Sequence, residues 1–244
     1  MDFLANYFGS LNPMSFLSAL PGNIAQGIIW GLMGLGVFLT FKLLNFADLS
    51  VDGSFATGGA VTAVMLINGC PVWATIIVAI LAGLAAGLVT GLLHTLLGIP
   101  DILAGILTQI ALYSINLNIM GKSNLPISYR NYTLVVSASN INMAILVGLG
   151  ICAVVIAAMY WYFGTEQGST IRSTGSNPAM SKAQGININF TKVIALALSN
   201  GLVALSGSLF AQYQGFADIN MGRGAIVIGL AAVIIGEVLG EAVF

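Results

Sequence analysis

The chain has 244 residues with 7 Lys+Arg and 8 Asp+Glu, so charged residues make up 6% and hydrophobic residues 58%. Mean hydropathy is +0.98, whereas a soluble domain is about one quarter charged, which excludes an ordinary water-facing globule. So few basic residues also exclude a nucleic-acid binder, which must neutralise phosphates.

From the N-terminus, no Lys or Arg precedes the first apolar stretch, so residues 1–21 are not a signal peptide. Phe3, Leu4, Tyr7, Phe8 and Leu11 fall on one helical face and predict a short interfacial helix. Beyond it, no Asp, Glu, Lys or Arg occurs in 23–41, 53–100, 102–121, 193–217 or 224–236, and 131–165 is also uncharged and apolar after about Met143. A bilayer core needs about 20 apolar residues per helix. The long 53–100 stretch is therefore two passes, broken at Asn68-Gly69-Cys70-Pro71. The pattern predicts seven spans, near 22–43, 47–67, 72–96, 99–120, 142–163, 191–215 and 224–240. These runs are continuously apolar and not alternating, which selects helices over a barrel. An all-α, polytopic transmembrane bundle over 22–244 is expected, with no internal repeat and no linker to a soluble domain. Cys70 and Cys152 are far apart in apolar settings and make neither a disulfide framework nor a metal box.

The basic residues set an orientation. Lys42, Arg172, Lys182 and Lys192 fall on one side, against Lys122, Arg130 and Arg223 at the outer start of the seventh span. The positive-inside rule then puts 42–47, 94–101 and 164–192 in the cytoplasm, and the N-terminus and 121–141 outside.

Between the fifth and sixth spans, Asn177 is placed to cap a helix that starts at Pro178, and Gly185 to end it in the left-handed conformation. So short a helix is unstable alone in water. It presents Ala179, Met180 and Ala183 as a small apolar face beside Lys182. That face packs either on a partner or on the lipid surface and the chain's own bundle; the residues alone leave both open.

The pattern Arg172-x-Thr174-Gly175-x-Asn177-Pro178-Ala179-x5-Gly185-Ile186 resembles the cytoplasmic coupling loop of ATP-binding-cassette importer permeases, in the branch of branched-chain amino acid and ribose-type permeases. The likeness extends to the segments 44–55 and 111–121, to Ser206-Gly207 and to the 229–237 run, covering about Gly22 to Glu237. Within that branch it points to the subgroup that pairs with lipoprotein-type binding proteins, some assigned to aromatic amino acids. The resemblance implies a separate ATP-binding subunit whose groove receives the 164–190 loop through Arg172, Thr174, Gly175, Asn177, Pro178, Ala179, Ala183 and Gly185. It also implies an extracytoplasmic solute-binding protein, a second permease copy (a homodimer, or a homologue), a bacterial inner membrane, and an amino acid or related small polar nutrient as cargo. The family commonly continues beyond the Gly236-Glu237 region into at least one more helix, whereas this chain stops at Phe244, so a shortened bundle is expected. The alternative is a stand-alone secondary transporter or channel.

Other features weigh less. Asn177-Pro178-Ala179 is the aquaporin tripeptide, but those channels need two copies. Gly121-Lys122-Ser123 mimics the end of a phosphate loop, yet Asn116 stands where the earlier glycine belongs. No acid–base–nucleophile or metal-ligand cluster is present; no catalytic residue and no cofactor is expected. His94 reads as a helix-end residue. Gly83, Gly87 and Gly91, like Gly27 and Gly31, predict close helix contacts. Asp48 and Asp52 fall four apart at the start of the second span. For them a helix-end cap outweighs a gate or pathway role. Candidate pathway residues are Asp48, Asp52, Ser114, Asn116, Asn200 and Gln212, each weighed against simple interhelical bonding. The central spans hold no charge pair, which argues against a proton-relay pump and for a neutral or zwitterionic solute.

Overall fold

The computed structural model describes residues 13–127 and 134–243, and it is helical throughout apart from one short strand pair. In chain order the elements are α1 (Pro13–Val37, continued as a π-helical turn over Phe38–Leu43), α2 (Val51–Ile67), α3 (Val72–Leu96), α4 (Asp101–Met120), β1 (Asn124–Pro126), α5 (Ile141–Phe163), α6 (Glu166–Ser176), α7 (Pro178–Ala183), α8 (Ile188–Gln214), β2 (Phe216–Asp218) and α9 (Ala225–Val243). Five of these helices are long and apolar enough to cross a membrane: α1, α3, α4, α5 and α8. Helices α2 and α9 are apolar but contain shorter qualifying stretches. The interfacial helix expected around Phe3 to Leu11 lies outside the described residues, as does Arg130. The first long helix begins at Pro13, not at 22.

Helix α8 is the axis of the bundle. It packs on α1, α2 and α3, and most of its length is buried, whereas α5 is mostly exposed and rests on α1. Close approach explains the glycines. A Cβ on Gly87 would lie 2.2 Å from the Leu196 carbonyl oxygen, and one on Gly83 2.3 Å from that of Asn200. Both partners are on α8, so the glycine stripe of α3 is its seam with that helix. From α2, a Cβ on Gly58 would come within 2.0 Å of the Ala204 oxygen. Gly27 and Gly31 differ: nothing lies within 4 Å of a Cβ at either. Their spacing marks no close contact among the described residues.

Two ends of the bundle are distinct. One gathers Lys42, His94, Lys192, α6 and α7: Lys42 ion-pairs with Glu237, and the Lys192 ammonium donates to His94 Nε2 at 3.0 Å. The other carries the antiparallel pair β1–β2, with Leu125 opposite Ala217. We call these the basic end and the hairpin end. Helix α6 and the strand pair were not legible in the sequence, because α6 holds little apolar surface beyond Ile171 and each strand is only 3 residues long.

Candidate functional site

Between Leu43 and Val51 the chain does not turn at the bundle's end, as the expected span boundaries imply. Asn45 takes φ 53, Phe46 meets the His94 ring edge-on with centroids 5.0 Å apart, and the segment climbs into the interior. Asp48 reaches Asn200, about 18 Å along α8 from Ile188 at 1.5 Å per residue. Asp48 is 2% exposed. Its Oδ1 accepts the Ser50 backbone N–H at 2.9 Å and the Ser50 hydroxyl at 2.5 Å. Its Oδ2 accepts from Asn200 Nδ2 at 2.7 Å. Asn200 donates its second N–H to the Leu196 carbonyl at 3.0 Å, and its Oδ1 accepts the Ser54 hydroxyl at 2.5 Å. The expected helix-end cap is not formed: Asp48 accepts the N–H of Ser50, the residue ahead of α2, and no side chain caps the first-turn amides of that helix. Asp48 and Asn200 form a closed knot between helices, with their polar groups turned on each other.

One turn further on, Asp52 faces elsewhere. Its Oδ2 accepts the Gly224 N–H at 3.0 Å and its Oδ1 the Ile226 N–H at 2.9 Å. A carboxylate on α2 thus caps the first turn of α9, where unpaired amides and the positive dipole end favour an anion. The approach requires glycines: a Cβ on Gly222 would lie 2.0 Å from the Asp52 carbonyl oxygen, and Gly224 has φ +78°. Arg223 is held between them. The seventh apolar stretch therefore does not begin at the hairpin end. Residues 216–224 run inward from β2, and α9 starts partway through the bundle before reaching Glu237 at the basic end. Arg223 accordingly leaves the outer tally of basic residues, which sharpens the asymmetry between the ends.

A cavity of about 270 Å³ opens at this junction, lined by Asp52, Gln109, Tyr113, Asn116, Ile219 and Arg223. Asn116 is 0% exposed, and neither its side-chain nitrogen nor its oxygen has a hydrogen-bond partner among the described residues. Arg223 is exposed, and among those residues the one ion pair is Lys42 with Glu237. Arg223 thus stands exposed beside a carboxylate held by two backbone amides, with the unpaired Asn116 amide buried behind the wall.

The knuckle at the basic end has the expected geometry. Asn177 Oδ1 accepts the Met180 N–H at 3.0 Å, Pro178 opens α7, and Gly185 has φ 84. The Ile186 N–H reaches back to the Ser181 carbonyl at 3.1 Å, closing the helix in a Schellman-type end. Ser181 faces inward, while Pro178, Ala179, Met180, Lys182, Ala183 and Gly185 are exposed. Three residues of the sequence-predicted contact set make contacts within the chain, although Arg172 remains exposed. Thr174 is 1% exposed; Gly175 sits where a Cβ would lie 1.9 Å from the Leu43 oxygen; and Arg172 Nη2 donates to the Phe163 carbonyl at 2.8 Å, satisfying the end of α5.

The remaining candidates scatter. Ser114 is on the exposed face of α4, its hydroxyl directed to the Ile110 carbonyl at 3.5 Å. Gln212 is buried near the hairpin end, its Oε1 accepting the Val135 N–H at 3.1 Å. Gly121 is the left-handed stop of α4, which accounts for the phosphate-loop mimic. His94 Nδ1 donates to the Ile99 carbonyl at 2.9 Å, leaving Nε2 to accept from Lys192, a helix-end arrangement. Sequence reasoning missed Arg223 and Tyr113 as cavity residues. The available signal was Gly222-Arg223-Gly224 ahead of a short apolar helix, the interrupted segment that marks binding sites in many transporters.

Residues 22–242 match the family described as branched-chain amino acid transport system / permease component. A tyrosine transport system permease protein of Clostridioides difficile is 45% identical over 91% of this chain and 74% of its own length. The D-allose transport system permease protein AlsC of Escherichia coli is 28% identical over 94% of the chain and 71% of its own. The autoinducer 2 import system permease protein LsrC of an Enterobacter species is 28% identical over 94% and 66%. No solved structure matches.

Proposed function

Since this chain belongs to the branched-chain amino acid transport system permease family, it is a multi-pass membrane permease subunit of an ATP-binding-cassette importer for a small solute, and we propose how its parts divide that work. The basic end faces the cytoplasm of a bacterial inner membrane, following the positive-inside rule. All seven apolar stretches cross, α2 and α9 as short helices completed by the irregular segments 44–50 and 216–224. Such backbone is tolerated at depth where it is buried in protein or lines a cavity. An ATP-binding subunit receives α7, a solute-binding protein delivers cargo at the hairpin end, and a second permease copy completes the pathway. The cargo is a small polar solute of the amino acid class, passing the cavity at Asp52, Asn116 and Arg223.

The observation that carries the coupling assignment is α7 itself: a helix of 6 residues, capped at both ends and seated through Ser181, whose Ala179, Met180 and Ala183 are exposed. Small side chains there allow a groove to close on the backbone, and the support from Thr174 and Gly175 ties the knuckle to Leu43 at the end of α1. A push on α7 therefore reaches the segment that leads to Asp48 and Asp52. ATP can shift the inward–outward equilibrium only by binding the two states differently, and α7 is where that difference is transmitted.

Ala179→Trp tests this. Uptake driven by the assembled importer should fall by at least about tenfold, the effect of losing roughly 1.4 kcal/mol of coupling, with the permease still folded and inserted. Wild-type uptake and wild-type stimulation of the ATP-binding subunit in that variant would refute the docking assignment.

A further inference from the structure

Resting on the assignment of α7 as the coupling contact, we propose that the Lys42–Glu237 ion pair is a latch: it holds the end of α9 while the coupling loop is at rest and releases it when that loop is driven. On one side of the pair, the links to the loop run through backbone. Asn177 both ends α6 and caps α7, so the two helices move together. On α6, Gly175 bears directly on the Leu43 carbonyl, with no room for a Cβ between them. Leu43 closes the π-helical turn Phe38–Leu43, and Lys42 is the residue before it. A displacement of the coupling loop therefore carries Lys42 with it. The turn is a suitable joint, since π-helical turns are rare and cluster at functional sites.

On the other side, α9 is fixed near its start and loose toward its end. Asp52 accepts the Gly224 and Ile226 amides, and Gly229 packs on α1, where a Cβ would lie 2.8 Å from Val37 Cγ2. About two turns later the fit is gone: nothing lies within 4 Å of a Cβ on Gly236 of α9, nor of one on Gly34 of α1. A cavity of about 570 Å³ opens between the helices there, lined by Gly34, Phe38, Val233 and Gly236 together with Lys42 and Glu237. The ion pair is what bridges this gap. Its side chains are 48% and 35% exposed, and an exposed pair shifts an equilibrium by at most about fivefold. That is too little to hold the fold and enough to bias two positions of α9. Because Arg223 directly precedes the α9 start that Asp52 holds, a swing of this helix also reshapes the wall of the mid-bundle cavity.

The test follows the separation of the two positions in the assembled importer. With Cys70 and Cys152 replaced by Ser, Lys42→Cys and Glu237→Cys are joined by a short, reductant-cleavable bifunctional thiol reagent. Before joining, this variant should keep uptake within about fivefold of its parent, since only the bias is lost. Joining should be several-fold slower with nucleotide trapped on the ATP-binding subunit than without nucleotide. The joined importer should lose at least about tenfold in uptake, within the usual range of coupling between sites, and regain it on reduction. Lys42→Glu and Glu237→Lys should each lower uptake a few-fold, and the two together should restore it. A joining rate that is equal or higher with trapped nucleotide, uptake that survives joining, or charge reversals that the double exchange does not rescue would overturn the latch. Ala179→Trp separates the two levels. If that variant still couples ATP to uptake, the assignment of α7 falls; if it does not, while joining in its parent is blind to nucleotide, the latch alone falls.

Discussion

Two polar clusters lie one helical turn apart in this bundle, and each pairs an aspartate of the α2 start with an asparagine from another helix. At Asp48 and Asn200, carboxylate, amide and hydroxyls satisfy one another in a closed knot between the 44–50 segment, α2 and α8. At Asp52, Asn116 and Arg223, the carboxylate accepts two backbone amides, Arg223 is exposed beside a cavity, and the Asn116 amide is buried without a hydrogen-bond partner among the described residues. The aspartate and asparagine are common to both; the state of their hydrogen bonds differs. The first cluster is satisfied within the fold, and the second leaves polar groups without partners among the described residues.

The same substitution should therefore act in opposite directions at the two sites. Asn200→Leu strands the buried Asp48 charge and should destabilise the protein by about 3–5 kcal/mol, measured by denaturant unfolding in bicelles; a loss below about 1 kcal/mol would mean that the knot is not closed. Gly58→Leu forces side-chain atoms into the Ala204 backbone and should cost about 3 kcal/mol, near the top of the overpacking range, in the same assay. Asn116→Leu removes two unsatisfied buried atoms and should raise stability by about 1 kcal/mol while lowering uptake, so a destabilised variant would show that Asn116 is bonded within the fold. Lys42→Ala breaks a partly exposed ion pair and should change stability by less than about 1 kcal/mol.

Much of the helix pattern could be read from the charge-free stretches, because hydrocarbon thickness imposes a length that composition reveals. α3 begins and ends where its apolar run predicts, at Val72–Leu96. The capped knuckle was equally readable, since Asn177, Pro178 and Gly185 act through local backbone geometry. What could not be read depends on partners distant in sequence. Asp52 caps a helix start more than 170 positions away, with a sequence separation of 172 to Gly224, and no local signal announces that α9 begins inside the bundle. For the same reason Gly27 and Gly83 look alike in sequence, while α8 lies against the second and nothing lies against the first. Thr174 and Gly175 belong to the readable motif, but their inward packing on Leu43 is a tertiary fact.

The central claim is that this bundle moves solute only when a nucleotide-driven partner grips α7. Its most direct measurement is uptake of radiolabelled amino acids into proteoliposomes holding either this permease alone or the permease with its ATP-binding subunit and solute-binding protein. Accumulation that requires both the ATP-binding subunit and ATP, and that disappears with Ala179→Trp, is the predicted result. Equal uptake by the permease alone would contradict the claim and make the chain a carrier in its own right.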